Sequence, residues 1–352
     1  MIRTAATELF DLRVPVVQTG MGWVAGARLC AATSEAGGLG VLAAATMDLD
    51  QLQSQVTEVK RRTKGPFGVN LRSDASDLDA RIDLLVKEQV TVASFAGAPS
   101  RQGMQRLKDA GVLTMPKVGM KRHAEKMIDW GADAIIAQGG EGGGHTGSVP
   151  TTSLLPEVVD AVAGRVPVFG AGGFCDGRGL VAALSFGADG IAMGTRFLLT
   201  QESTVPDSVK QHYLGTRSSG TVRTTAIDGH PQRVVNTPFI HKLEQAGPLR
   251  RLIAAVGHAL ALKAVTGTSL VDLFREALAM RASQGLSWPQ LAMAANAPMY
   301  TRATMVAGDL RAGILPTGTV VGRIDGLPSV AELLAAIERD AEAALARLGG
   351  LT

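Results

Sequence analysis

The sequence predicts an α/β protein folded as a (β/α)₈ barrel, with a smaller, mostly helical cap domain inserted after the eighth strand. Three observations support this prediction. Eight short apolar runs alternate with amphipathic segments between residues 14 and 193, and they start roughly 20 to 30 residues apart, the length of one strand, one helix and two loops. Glycines recur shortly before several of these runs. The repeat stops near residue 200, where a segment of different character begins.

The eight apolar runs are the predicted strands. They cover residues 14–18, 39–43, 67–70, 91–95, 113–117, 134–138, 166–171 and 190–193. Four of the segments between them end in a glycine, at Gly37, Gly111, Gly131 and Gly187. A helix commonly ends at a residue in the left-handed conformation, which glycine adopts without steric cost. We therefore expect each of these glycines to end a helix that leads into a buried strand.

Eight such units favour a closed TIM barrel over an open sheet, because closure buries every strand and leaves no unpaired edge. In such a barrel the chemistry lies at the carboxyl ends of the strands. In chain order, the residues at those ends are Gly20, Met21, Gly22, Asn70, Lys117, Gln138, His145, Gly172, Gly173, Phe174, Gly194 and Thr195. The longest interval between two strands contains the loop that carries His145, as expected for an insertion at the functional face.

A doubly wound dinucleotide-binding fold is the competing interpretation. Residues 20–25 read Gly-Met-Gly-Trp-Val-Ala, which satisfies the G-x-G-x-x-A spacing between a strand and a helix. Gly142, Gly144 and Gly147 have the glycine spacing too, but Pro150 follows and no acidic residue ends the next strand. A single nucleotide-binding unit leaves the eight repeats unexplained, so the barrel is favoured.

After residue 200 the sequence predicts a cap and a return to the barrel. A hairpin is expected over residues 221–227 and 233–237, around an Asp-Gly-His-Pro turn, and helices over 249–265 and 269–284. Ser329 and Glu332 form a capping box for a final helix. One face of that helix is apolar and should pack on the outside of the barrel; it contains Leu333, Leu334, Ile337, Ala341, Ala344, Leu345 and Leu348. We expect domains at 1–205 and 206–300, and a return segment at 301–352.

The composition narrows the class of protein. The chain has 352 residues, of which 46% are hydrophobic, enough for a large core. The two cysteines, Cys30 and Cys175, indicate neither a disulfide framework nor a metal cluster. No signal-peptide pattern or membrane-spanning run is found, and a net charge of +3 with 4% aromatic residues does not indicate nucleic-acid binding. We expect a cytoplasmic protein without metal, nucleic-acid or membrane partners, and a homo-oligomer remains open.

Positive charge is concentrated in residues 206–263. This segment contains eight Lys or Arg against three Asp or Glu, and four of the six histidines. A solvated basic face explains this charge as well as a surface that receives a phosphorylated or otherwise anionic ligand.

The loop from Gln138 to Gly147 is the leading candidate for a functional site. Its glycine content predicts neither helix nor sheet but a backbone that can approach a ligand closely. His145 stands at the far end of the loop, and histidine is the residue type best suited to proton transfer near neutral pH, although a lone loop histidine is often only solvated.

Two further features lie at the predicted barrel mouth. The glycine pair at Gly172 and Gly173, together with Gly194 and Thr195, lies after the last two strands, where barrels commonly bind a phosphate group. Lys117 ends an apolar strand, where its ammonium group either stabilises a developing negative charge or reaches solvent. A barrel that binds a sugar phosphate without further cofactor satisfies these features too.

Several segments together resemble the nitronate monooxygenase (2-nitropropane dioxygenase-like) flavoproteins. The matching segments run in order over almost the whole chain and cover residues 15–23, 66–70, 138–147, 171–179 and 193–197. The resemblance implies a (β/α)₈ barrel that carries FMN, with a smaller cap. It implies that His145 is the catalytic base. The residues that it assigns to the flavin and its phosphate are Gly20, Met21, Gly22, Asn70, Lys117, Gln138, Gly144, Gly172, Gly173, Phe174, Gly194 and Thr195.

Two details look closest to one branch of that family. They are the His145 loop and the segment from Thr195 to Asp207. That branch acts on a bicyclic acyl-CoA from breakdown of the steroid C and D rings, and the resemblance implies an FMN-dependent dehydrogenase with NAD as acceptor. The basic segment suits coenzyme A, which carries several phosphate charges. Oxidation of alkyl nitronates and NAD(P)H:quinone reduction are the alternatives, and a single phosphate site favours FMN over FAD.

Overall fold

Eight parallel strands close into a barrel, in sequence order. The structure is a computed structural model that describes residues 2–245 and 288–351. The barrel strands are β1 Val16–Gln18, β2 Leu39–Ala43, β3 Phe67–Arg72, β4 Val92–Ala96, β5 Leu113–Val118, β6 Ile135–Gln138, β8 Val168–Ala171 and β9 Gly190–Met193. β9 pairs in parallel with β1, with Val17 opposite Ala192, so no strand of the barrel has a free edge. The predicted (β/α)₈ barrel is confirmed, and the open doubly wound sheet is wrong.

Helices connect and surround these strands. They are α1 Ala5–Phe10, α2 Ala27–Glu35, α3 Leu49–Arg62, α4 Leu78–Lys87, α5 Arg101–Asp109, α6 Lys121–Asp129, α7 Thr151–Val162, α8 Gly177–Ser185, α9 Thr195–Leu198, α10 Asp207–Leu214, α11 Pro238–Gln245, α12 Trp288–Met305 and α13 Val330–Gly349. Gly37, Gly111, Gly131 and Gly187 have φ angles of 86°, 76°, 86° and 85°. The predicted left-handed glycines after α2, α5, α6 and α8 are therefore confirmed.

The barrel interior is a packed apolar core. Its side chains include Val17, Val41 and Met115, all essentially buried. Phe10 of α1 belongs to the same cluster, and its ring lies 6.0 Å from that of Phe169. Because the Thr4 hydroxyl donates to the carbonyl of Asp189, just before β9, α1 closes the amino-terminal end of the barrel. The opposite end, where the strands finish, is left for the functional site.

A second, three-stranded sheet lies at that opposite end. β10 Thr221–Thr224 and β11 Gln232–Val235 form the predicted antiparallel hairpin, with Thr224 opposite Gln232. β11 also pairs with a two-residue strand, β7 Gly144–His145. The prediction that this loop contains no sheet is therefore wrong at Gly144 and His145, because the hairpin supplies a partner that local sequence does not reveal. The helices predicted over 249–265 and 269–284 lie outside the described residues.

The chain returns to the barrel through α13. The predicted capping box is present: Ser329 Oγ accepts from the Glu332 N–H, and the Glu332 carboxylate accepts from the Ser329 N–H. Leu333, Leu334, Ile337 and Ala341 are buried, and α13 packs against α8 and α2. The apolar face is shorter than predicted, because Leu345 and Leu348 are 42% and 39% exposed beyond the end of this contact.

The described residues contain no helix long and apolar enough to cross a lipid bilayer.

Cys30 and Cys175 are both buried and unpaired. Burial raises the pKa of each thiol above its ordinary value.

Candidate active site

The loops after the barrel strands bring the predicted residues into contact around the barrel mouth. The loop after β1 packs so tightly on β3 that a Cβ on Gly20 would lie 2.4 Å from the Cβ of Asn70. The same loop reaches the end of β9, where a Cβ on Gly194 would lie 3.4 Å from the sulfur of Met21. Asn70 Nδ2 donates to Ser94 Oγ of β4 at 3.3 Å. Residues that are far apart in sequence thus form one surface.

His145 lies on the opposite side of this mouth, above β5 and β6. Gln138 Nε2 donates to the His145 carbonyl at 2.9 Å, and Lys117 Nζ donates to the same oxygen at 3.4 Å. Burial lowers the pKa of Lys117. The imidazole itself is 58% exposed. Its backbone is therefore fixed by two strand-end side chains, while its ring remains accessible from the mouth.

The His145 ring contacts a buried carboxylate on the hairpin. His145 Nε2 lies 2.7 Å from Asp228 Oδ2, and the Asp228 side chain is 7% exposed. Gln232 Nε2 lies 2.5 Å from the same carboxylate oxygen and 3.2 Å from His145 Nε2. Burial alone would raise the pKa of Asp228, but the hydrogen bond and charge of His145 and the His230 N–H hold it below its ordinary value.

Three glycines of the His145 loop, Gly139, Gly142 and Gly143, are required by close packing. A Cβ on Gly139 would lie 2.1 Å from Thr151 Oγ1, and one on Gly142 would lie 2.5 Å from Gln138 Nε2. A Cβ on Gly143 would lie 2.5 Å from the backbone of Thr317. The loop is therefore held between the start of α7, the end of β6 and the returning chain, and larger residues would displace it.

Side chains within and beyond the loop fix its path. Glu141 accepts from the Thr151 N–H and hydroxyl, at 2.9 and 2.6 Å, and so caps α7. Arg233 of β11 donates to the Gly140 carbonyl through two nitrogens, at 2.9 and 3.2 Å. The Glu141 carbonyl accepts from the Thr319 N–H at 3.0 Å. The barrel, the hairpin and the return segment all contribute to the position of His145.

The predicted phosphate site combines features that fit a phosphate and one that does not. Gly172 and Gly173 have φ angles of 100° and 85°, in the left-handed region that glycine adopts without strain, and they present backbone without side chains to a ligand. Thr195 Oγ1 accepts from the Gly318 N–H at 3.0 Å and keeps its own proton for a further acceptor. The N-terminus of α8, in contrast, is already capped by Asp176. The Phe174 side chain is buried, so its contribution would come from the backbone.

The residue that follows Thr195 is a buried arginine. The Arg196 guanidinium follows Thr195, is 7% exposed and has no salt bridge within the described part of the chain. It donates to the carbonyls of Leu199 and Gly326, and its Nε has no hydrogen-bond partner there. Burial lowers the pKa of Arg196. The turn at Gly172 and Gly173 offers backbone without side chains, and Thr195 offers a hydroxyl donor. The residues present therefore fit the phosphate end of FMN.

Sequence reasoning found His145 but missed the residues that hold it. Asp228 was interpreted only as part of a hairpin turn, Arg233 only as the start of the second hairpin strand within a basic segment, and Gln232 was assigned no role. The Asp-Gly turn is a local signal for the hairpin, but no local signal pairs it with a histidine 83 residues earlier. The role of Glu141 and the contact of the return segment with the His145 loop were likewise missed, since both depend on the tertiary fold.

Comparison with known proteins agrees with this geometry. A sequence model described as nitronate monooxygenase matches residues 3–80 and 75–340. The chain belongs to the nitronate monooxygenase family. A relative from Rhodococcus jostii, "(3aS,4S,5R,7aS)-5-hydroxy-7a-methyl-1-oxo-octahydro-1H-indene-4-carboxyl-CoA dehydrogenase", is 54% identical over 350 residues, 99% of both chains. A Mycobacterium tuberculosis protein of the same name is 53% identical over 341 residues, 97% of this chain and 96% of that protein.

A solved structure extends the comparison to the fold. FabK from Thermotoga maritima superposes with a TM-score of 0.82 at 31% identity and covers 100% of both chains. Members of the nitronate monooxygenase family are flavin-dependent oxidoreductases, and this chain is therefore one as well. The barrel that binds only a sugar phosphate is thereby set aside. His145 and the glycines at the mouth lie where the fold places its chemistry.

Proposed function

We propose that this protein is an FMN-dependent dehydrogenase that introduces a double bond into a bicyclic, steroid-derived acyl-CoA, next to the thioester. The observation that carries the proposal is the accessible His145 ring, on a backbone whose carbonyl Lys117 and Gln138 hold at the ends of β5 and β6. A base in this position is what removal of a proton from carbon requires. Identity of 54% and 53% to two relatives named for such an acyl-CoA, over nearly their full length, supports the substrate class.

The cofactor assignment rests on the residues around the mouth. We assign the phosphate of FMN to the backbones of Gly172, Gly173, Phe174 and Gly194 and to the Thr195 hydroxyl. We assign its ring and ribityl chain to Gly20, Met21, Gly22, Asn70, Lys117, Gln138 and Gly144. When bound, FMN supplies an acceptor for a hydrogen that leaves carbon with its electron pair.

The chain's own residues supply proton transfer and charge. The hydrogen next to a thioester carbonyl is acidic because the negative charge spreads onto the carbonyl oxygen. His145 accepts this proton. The Lys117 ammonium, next to the His145 carbonyl, places a positive charge where negative charge develops.

In this proposal, the cap binds the part of the substrate that lies beyond the reacting carbon atoms. We assign residues 206–300 to a domain that covers the barrel mouth, with 1–205 as the FMN barrel and 301–352 as the return. Arg223 and Arg233 lie on the hairpin that pairs with the His145 strand and carry charge suited to the phosphates of coenzyme A. We further propose NAD as the acceptor that reoxidises the flavin, and a cytoplasmic location.

Anaerobic reduction tests this function directly. The FMN-loaded protein is mixed with a bicyclic steroid-derived acyl-CoA, and the visible flavin band is followed. Bleaching supports the dehydrogenase, and reoxidation by NAD then tests the acceptor. A flavin that stays oxidised with the thioester but reacts with an alkyl nitronate would instead assign the activity for which the family is named, and reduction by NAD(P)H with turnover of a quinone would assign a reductase.

Replacement of His145 tests the residue. His145→Ala should bind FMN normally, because the imidazole contributes none of the proposed phosphate contacts. The rate of flavin reduction should fall about 10² to 10⁴-fold, because the variant lacks the general base. Single-turnover absorbance measures the rate, and the FMN content of the purified protein measures binding. His123→Ala, on the exposed side of α6, is the matched control and should react as the wild type. An unchanged rate in His145→Ala would remove His145 from the mechanism.

A further inference from the structure

We propose that Asp228 is the positioning residue of the active site: it accepts the Nε2–H of His145 and so leaves Nδ1 as the nitrogen that takes the substrate proton. This inference rests on the proposed function for the role of His145 as base. It adds a residue from the hairpin turn that neither the barrel motifs nor the relatives' names indicate.

The hydrogen-bond inventory around Asp228 decides which ring nitrogen carries the proton. A carboxylate can only accept, so His145 Nε2, at 2.7 Å from Asp228 Oδ2, must be the donor. Gln232 must likewise present its amino group to the same oxygen, at 2.5 Å. The Gln232 amide cannot then also donate to His145 Nε2, because that nitrogen already carries a hydrogen. One arrangement therefore satisfies all three side chains.

The carboxylate is held in this orientation by its own turn. Asp228 Oδ1 accepts from the His230 N–H at 3.0 Å, and Gly229 takes a φ of 86° that lets the turn close. Beyond the turn, the β7–β11 pairing places Gln232 opposite His145, and the Thr146 N–H donates to the Pro231 carbonyl at 3.1 Å. The turn and the imidazole are thus in a fixed register.

The other edge of the ring is available for chemistry. Within the described residues, His145 Nδ1 has no hydrogen-bond partner, and the side chain is 58% exposed whereas that of Asp228 is 7% exposed. A buried acceptor on one nitrogen and an accessible lone pair on the other is the arrangement that a general base requires.

The proton and electrons balance as follows. The bond between hydrogen and the carbon next to the thioester breaks, and the proton goes to His145 Nδ1. The electron pair left on that carbon would form the new carbon–carbon double bond as the neighbouring hydrogen leaves with its own electron pair. FMN, held by the residues assigned to it above, would supply the two-electron acceptor for that hydrogen. His145 becomes an imidazolium whose Nε2–H still faces Asp228, so the new positive charge forms against an existing negative one.

The ring-proton position can be measured without any substrate. Protein labelled with ¹⁵N-histidine, loaded with FMN and held at a pH where the ring is neutral, shows by long-range ¹H–¹⁵N correlation which nitrogen is protonated. The His145 signals are assigned by their loss in His145→Gln. The wild type should carry its proton on Nε2, and Asp228→Asn should lose this preference, because an amide can either accept from or donate to the ring. A wild-type proton on Nδ1 would overturn the proposal.

Flavin reduction by the acyl-CoA then tests the consequence. Asp228→Asn keeps the side-chain shape and the acceptor for the His230 N–H, so FMN content and acyl-CoA affinity should be unchanged while the reduction rate falls about 10²-fold or more. Asp79→Asn, the same change at a carboxylate whose side chain is 87% exposed on α4, is the control and should react as the wild type.

The two proposals fail differently. If the acyl-CoA reduces the flavin of the wild type and of Asp228→Asn at the same rate, the proposed role of Asp228 is wrong. If the acyl-CoA does not reduce the flavin of the wild type, the proposed substrate is wrong. The ring-proton measurement then still decides whether Asp228 orients His145.

Discussion

Lys117 shows at the residue scale how a functional group can oppose stability. It ends an otherwise apolar strand, and burial lowers its pKa, so the fold disfavours the charge that the group carries at neutral pH. Within the described residues, Lys117 Nζ donates its hydrogen bond to the His145 carbonyl and not to a carboxylate. Such a lysine is more easily explained by a role at the site than by a contribution to folding.

Lys117→Met should therefore raise the melting temperature of the FMN-free protein at neutral pH. The sign follows from the lowered pKa: the unfolded chain binds the proton more tightly, so wild-type stability rises as pH increases from the folded pKa toward the unfolded value of about 10.4. The advantage of the variant should shrink over that range. Thermal unfolding between neutral and alkaline pH measures this, with the exposed Lys64→Met as control. A variant less stable than the wild type at neutral pH would contradict the argument.

Individual site residues differed in how far the sequence could predict them. His145, Lys117 and the glycine pairs were predictable because strand ends in a barrel share one face. Asp228 was not, since a carboxylate in an Asp-Gly turn serves the turn in any hairpin, and only the tertiary fold brings it to a histidine 83 residues away.

At the scale of elements, α8 and α13 form a close helix pair that sequence periodicity predicts only partly. The capping box and the buried leucines placed α13 on the barrel. The sequence does not predict that α8 is the partner of α13, because the close contact depends on glycine at position 177, which has no side chain. A Cβ on Gly177 would lie 2.3 Å from both the Ala341 N and the Ile337 carbonyl oxygen. Leu345 and Leu348 continue the apolar pattern beyond this contact and remain exposed.

Gly177→Ala should therefore destabilise the protein by about 1–3 kcal/mol through overpacking, although alanine is ordinarily the better helix former. Urea unfolding of the FMN-loaded variant measures the loss. Gly326→Ala is the matched control, because a Cβ there has no neighbour within 4 Å. A Gly177→Ala variant as stable as Gly326→Ala would contradict the argument, because it would show that the two helices accept the added methyl group without strain.

At the scale of the whole molecule, three distant parts of the chain form one layer over the barrel mouth. The hairpin bonds to the His145 strand, and the return segment bonds to both. The Val235 N–H donates to the Leu315 carbonyl, the Thr317 N–H to that of Arg233, and the Thr319 N–H to that of Glu141. The eight strands and the hairpin could be predicted from local patterns, but their assembly into this layer could not, since the bonds between its parts join segments that are far apart in sequence.

Tyr213 ties this layer to α10, and its removal should loosen all three parts together. The Tyr213 side chain is fully buried, and its hydroxyl donates to the Pro316 carbonyl at 3.0 Å. Tyr213→Phe leaves that carbonyl without its donor, a loss of about 1–3 kcal/mol. If the layer opens as a unit, amide hydrogen exchange should accelerate at residues 141–145, 232–235 and 315–319 by a similar factor, while β2 to β4 keep their protection.

The control is Ser185→Ala, which removes a hydroxyl that donates to a carbonyl within α8 and should leave exchange in all three regions unchanged. Faster exchange confined to 315–319 would mean that His145 is held by the barrel alone, and that the hairpin contributes its side chains without restraining the loop.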